Sequence, residues 1–149
     1  MRILPWLPVL DAAAATALEV AAGKLLTHFQ REGRLSDHTV ATVADGAALV
    51  IAWAGPALSG CSHDKLNALA AHHQEGGRRC LDLPPISLRC HDGWRCGTRA
   101  DLRAWIAAGE ADADSRYLDR TVPDLGSWRT RGLVPLRQSP LARLLAASG

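Results

Sequence analysis

Lysine is nearly absent from this 149-residue chain: Lys24 and Lys65 stand against fifteen arginines, a ratio that codon bias is sufficient to explain. Aromatic residues amount to only 5%. The longest stretch without charge or strong polarity, Ala47 to Leu58, is far short of the roughly 20 residues that a membrane-spanning helix needs. No GxxxxGK[ST] loop occurs, and Gly23-Lys24 lacks the upstream glycine, so phosphate cradling of the P-loop ATPase kind is excluded. GxSxG, HExxH, GxGxxG and CxxC are absent as well, and no complete catalytic constellation stands in their place.

Cysteine is scarce too. Cys61, Cys80, Cys90 and Cys96 are too few for a disulfide scaffold and lack the paired spacing of a zinc ribbon. Cys61-x-His63, Cys80, Cys90-His91 and Cys96 supply thiolate and imidazole in no common zinc pattern. No metal and no cofactor is expected. A reduced, cytoplasmic protein is the expectation. The N-terminus, MRILPWLPVLDAAAATA, mimics a secretory signal with one arginine, an apolar stretch and alanines beyond, but Pro5 and Pro8 break that stretch and Asp11 follows it at once.

What is present fits a globular domain. Apolar residues make up 48% and charged residues 21%, near the averages for folded chains. A chain of this length buries roughly two thirds of its unfolded surface, so one α+β domain over 1–149 needs no staple. Net charge is +2, unevenly spread: residues 116–149 hold six arginines and two acids. Arg116, Arg120, Arg129, Arg131, Arg137 and Arg143 suit an acidic partner or an anion. Without aromatic interleaving beyond Tyr117 and Trp128, nucleic acid is not the expected partner.

Leu18, Ala22, Leu25 and Phe29 recur at helical spacing between Asp11, a capping residue, and Gly33. HTVATVADGAALVIAWAG then reads as a hairpin about Asp45-Gly46, pairing Thr42 with Leu49 and Val40 with Ile51. That register puts Val40, Leu49, Ile51 and Trp53 on one face. Leu66, Leu69, Ala70 and His73 predict a second helix ending at Gly76-Gly77. Pro84-Pro85 introduces a second hairpin around Asp92-Gly93, and Thr98 with Asp101 forms a capping box for a third helix closed by Gly109. The expected order is helix, hairpin, helix, hairpin, helix, with an antiparallel sheet of about four strands and helices on one face. Residues 110–140 show no period and read as irregular, with a short strand near Leu133-Val134 as one option. Ser139-Pro140 starts a short terminal helix over 140–147.

The stretch ALSGCSHDKLNAL concentrates chemistry. Taking Ser62 as the N-cap puts Cys61 just before the helix and Asp64 at its second position, where a carboxylate complements the dipole. The dipole, the exposed amides, His63 and Lys65 would all favour a thiolate at Cys61. The same geometry receives anions. Small residues and a buried thiol at a tight strand-to-helix turn are also ordinary architecture. Two functions follow: a binding or regulatory domain in which Ser62, Asp64 and Lys65 form an anion site, or a thiol enzyme or redox sensor with Cys61 as nucleophile and His63 as base.

SGCSHDK, preceded by a helix, a glycine turn and a hairpin, resembles an uncharacterised family of small bacterial proteins whose members often carry the automatic label "ABC transporter ATPase". The matching residues are Ser59, Gly60, Cys61, Ser62, Asp64 and Lys65, with Trp128, Pro135, Ser139, Ala142 and Arg143 near the end. The chain departs from that pattern at Ala54-Gly55-Pro56, where the family carries an acid, and at Pro140, where it carries an aromatic. The resemblance implies that Cys61, Asp64 and Lys65 act as a unit, and it implies no particular reaction.

Overall fold

The computed structural model describes residues 1–74, 77–80 and 86–146. The chain divides into two compact units, Met1–Asp82 and Leu83–Gly149. Each contains a four-stranded antiparallel sheet, so the α+β class stands while the single sheet of about four strands becomes two.

The first unit opens on a strand, β1 (Arg2–Leu7), ahead of the first helix. The expected order is not kept: this strand precedes the first helix, and another, Arg79–Cys80, follows the second helix ahead of the second hairpin. In the sheet β2-β3-β1-β4, β1 lies between β3 (Ala48–Ala54) and the two-residue β4 (Arg79–Cys80), with β2 (Asp37–Val43) at the edge. The prolines that argue against a strand are accommodated by register. The Trp6 amide bonds the Ala47 carbonyl at 2.8 Å. Backbone direction alternates, so the face of Pro5 that lacks an N–H points the other way, where β4 pairs only from Trp6 onward. Ile3, Leu4, Pro5 and Trp6 are buried, as a strand flanked on both sides requires.

Helix α1 (Ala12–Arg31) is capped by Asp11, whose carboxylate accepts the Ala14 amide at 2.8 Å. Leu18, Ala22, Leu26 and Phe29 are fully buried, with Leu25 packed beside them. Gly33, at φ 72°, ends it: the Gly33 amide bonds the Gln30 carbonyl and the Arg34 amide bonds that of Phe29, the two bonds of a Schellman motif. The β2-β3 register pairs Val40 with Ile51 and Thr42 with Leu49. Asp45 and Gly46 both have positive φ, as a type I′ turn demands. Leu49, Ile51, Leu4 and Trp6 meet α1 and α2 (Gly60–His72) in one core, so both helices cover the same face of the sheet.

In the second unit the sheet order is β6-β5-β7-β8. β5 (Ile86–Cys90) and β6 (Gly93–Gly97) form the expected hairpin, but its loop is His91-Asp92, one residue earlier than Asp92-Gly93. Pro84 and Pro85 lie outside the described residues, as does Gly76. The Thr98–Asp101 capping box starts α3 (Arg99–Ala107), which buries Leu102 and packs Trp105 and Ile106.

The segment read as irregular contains β7 (Arg116–Leu118), α4 (Leu125–Arg131), β8 (Leu133–Pro135) and a 3-10 turn at Leu136–Gln138. These elements are too short to show a period. Side-chain caps hold them instead: Asp112 accepts the Asp114 and Ser115 amides, Asp119 that of Thr121, and Asp124 that of Ser127. The terminal helix, α5 (Arg143–Ala146), starts later than Pro140; Ala147 lies outside the described residues. Ser139 is spent upstream of it, donating to the Leu136 carbonyl and accepting the Leu141 amide.

Candidate functional site

The quoted cysteine stretch becomes the first two turns of α2, with its cap three residues earlier than the sequence suggests. Ser59, not Ser62, is the N-cap, and its hydroxyl accepts the Ser62 amide. Ser62 instead sits fully buried at the third helical position, its hydroxyl 3.1 Å from that of Ser59. Starting at Gly60 adds nearly a turn of helix while Leu66 and Ala70 still reach the core. Asp64 accordingly falls in the second turn, exposed, too far along to complement the dipole at the first. The amides of Gly60 and Cys61, at the first two positions, have no carbonyl inside the helix to bond.

Cys61 is exposed and unpaired, not enclosed by Leu66 and Trp53. His63 is half-buried with its ring edge-on to Trp53, centroids 6.1 Å apart. Residues two apart on a helix are separated by about 200° around the axis. The structure therefore does not bring the Cys61 thiol and the His63 imidazole together as a nucleophile and base. Lys65, exposed, lies with its ammonium 5.8 Å from the centre of the Phe29 ring.

One further residue, not singled out in the sequence reading, completes the group. Arg34 donates from Nη1 to the Ser62 hydroxyl at 3.0 Å, and its guanidinium carbon lies 5.4 Å from the same Phe29 ring. The Schellman motif puts it there: Phe29 and Arg34 are the two residues whose backbones close the end of α1, so ring and guanidinium are held together by the turn at Gly33. Glu32 pairs with Arg34 Nε at 2.8 Å, while Lys65 forms no ion pair with any described residue. Arg34 was detectable only through that motif, since glycine after the helix predicts which residue folds back.

Two of the other cysteines, Cys90 and Cys96, sit in the second hairpin. Cys90 faces the core of the second unit and pairs with Gly93, while Cys96 pairs with Ser87 and lies 3.2 Å from its hydroxyl. The hairpin thus sends the two thiols to opposite faces of the sheet. Burial pushes both above the ordinary thiol range. Among the described residues, no group of three or more histidine, cysteine, aspartate or glutamate side chains is placed to hold a metal ion.

Other charged groups are committed to local bonds. His91 and Asp112 pair at 3.1 Å, Arg116 donates to the Leu133 carbonyl, and Arg137 pairs with Asp114. Arg129 and Arg131 lie in the last turn of α4, where cations complement the dipole. Among the described residues, no helix is long and apolar enough to cross a membrane.

The fold is α+β and the site is a helix start with two cations on one ring. No protein-family model, no curated protein and no solved structure matches the chain.

Proposed function

We propose that the chain is a binding or regulatory domain that receives an oxyanion, a phosphate or carboxylate group, at the start of α2. One observation carries the reading: Arg34 and Lys65 are both held over the Phe29 ring, and Arg34 is bonded to Ser62 beside the open amides of Gly60 and Cys61. Two like charges gathered at a helix N-terminus are relieved by an anion between them, and the unpaired amides supply further donors. Glu32 holds the guanidinium in orientation and Lys65 supplies the net charge. Thermal unfolding at low ionic strength tests this. Inorganic phosphate should raise the melting temperature in proportion to log concentration, and Arg34→Gln or Lys65→Gln should each weaken the effect about tenfold, as losing a charged hydrogen bond predicts. Absence of any phosphate-dependent stabilisation counts against it.

Exposure of Cys61 in the first turn of α2 favours a second reading, a thiol enzyme or redox sensor, with the amides rather than His63 as the activating group. Alkylation of Cys61 across pH, followed by peptide mass spectrometry with Cys80, Cys90 and Cys96 as internal comparisons, tests it. An apparent pKa below about 7 supports an activated thiolate; reactivity no higher than that of a free thiol counts against it.

A further inference from the structure

Helix α2 runs antiparallel to α1, since its start meets Phe29 at one end and its end meets Asp11 and Ala14 at the other. At that second end, about 18 Å along the helix from Gly60, lies a cavity of about 420 Å³. Its size falls within the roughly 300–1,000 Å³ of small-molecule sites. One wall is Ala13, Ala14 and Ala17 on the first turns of α1, with Leu10 beside them. Methyl side chains at these positions leave the volume open; any longer side chain would occupy it.

Asp11, His72, His73 and Arg78 supply the polar groups. Arg78 lines the cavity and is pinned by Asp11, whose other carboxylate oxygen is already committed to the Ala14 amide. The acid thereby fixes the guanidinium without offering a free carboxylate to a cation, and a guanidinium has donors to spare after one such pair. His73, the C-cap of α2, is hydrogen-bonded from Nδ1 to the Leu69 carbonyl at 2.9 Å. A carbonyl only accepts, so Nδ1 carries the proton and Nε2 is left as an acceptor, suited to an N–H or O–H of a ligand rather than to its acid group. His72 completes the rim, its ring edge-on to that of His73 with centroids 5.6 Å apart.

We propose that this cavity binds a small organic anion, with its acid group on the Arg78 guanidinium and a compact apolar body against Ala13, Ala14 and Ala17. The site is separate from the one at Arg34 and Lys65 and does not depend on it. Amide-resolved NMR titration of the full chain with benzoate, phenyl phosphate and inorganic phosphate tests it. Saturable shifts at Ala13, Ala14 and His73 are expected with the two organic probes, at least tenfold tighter than with inorganic phosphate. The benzoate and phenyl phosphate arms tell a carboxylate ligand from a phosphate one. Arg78→Gln should weaken organic-anion binding about tenfold. Ala17→Leu and Ala13→Leu, both at exposed positions, should each abolish it with the rest of the spectrum retained. Arg34→Gln should leave it unchanged, so loss at the α2 start and loss here are distinguishable. No saturable shift at these residues with either organic probe, or full binding in both leucine variants, overturns the proposal.

Discussion

The two units of this chain make the same kind of sheet by different means. In the first, helices of 20 and 13 residues lie on strands of six and seven, and their packing buries Trp6, Leu18, Leu26, Phe29, Leu49, Ile51 and Leu66. In the second, helices run to nine residues at most and two of the four strands have three. There a smaller core around Leu88, Leu102 and Leu136 is supplemented by side chains that bond the backbone a few residues away. Long elements are stabilised by an apolar face; short ones depend on what caps them.

The sharpest way to break the first unit is at its turn. Gly46 has φ 86°, and a Cβ there would run into the Leu10 carbonyl, a backbone atom that cannot yield without losing the bond from the Leu10 amide to the Gly46 carbonyl. Gly46→Ala is therefore expected to cost more than Phe29→Ala, with about 1–2 kcal/mol from the left-handed backbone and the rest from the clash with Leu10. Chemical denaturation of the two variants gives the ranking. Phe29→Ala, at a fully buried position, should cost about 3–5 kcal/mol and also remove the ring on which Arg34 and Lys65 rest. Anion binding at α2 should weaken with it, measured under conditions where the variant remains folded.

The second unit should yield to smaller insults. A Cβ on Gly132 would meet the Trp128 ring, and Gly132→Ala should cost about 1–3 kcal/mol by overpacking. Thr98→Ala removes one half of the capping box and should cost about 1 kcal/mol, with hydrogen exchange at α3 accelerated first. Acid offers a test without mutation. The Arg95 guanidinium holds the Asp92 carboxyl below the usual range; the Thr98, His91 and Ser127 hydrogen bonds do the same for Asp101, Asp112 and Asp124. Carboxyls depressed in the folded state contribute stability that is complete above their unfolded pKa, about 3.9, and is lost as pH falls through the folded value. Exchange protection in the second unit should therefore decline below about pH 4; protection that is flat down to pH 2 contradicts this. Smallest of all, Cys61→Ser should change stability by less than about 0.5 kcal/mol, since the thiol is exposed.

Legibility in the sequence follows the same division. The core face of α1, its Asp11 cap and the pairing of Val40 with Ile51 are readable because period and turn chemistry agree over many residues. Strand β1 is not, because Pro5 and Pro8 speak against a strand locally and only the position of β4 makes Pro5 tolerable. Residues 110–140 have no period, yet Asp112-x-x-Ser115 and Asp124-x-x-Ser127 are capping pairs visible to the eye. At the candidate site the chemistry of SGCSHDK drew attention to the start of α2, but two serines three apart left the helix start ambiguous. That ambiguity misplaced Asp64 and suggested a Cys61–His63 pair that a helix cannot make at that spacing. Arg34, 27 residues upstream of Cys61, is signalled only by the helix-ending glycine before it, and its bond to Ser62 comes from tertiary packing.

Amide NMR during a phosphate titration at low ionic strength tests most directly whether an oxyanion is held at the start of α2. Saturable shifts of the Gly60, Cys61 and Ser62 amides, weakened about tenfold in Lys65→Gln, are the predicted result. Amides that do not move, or that move equally in wild type and Lys65→Gln, would contradict it.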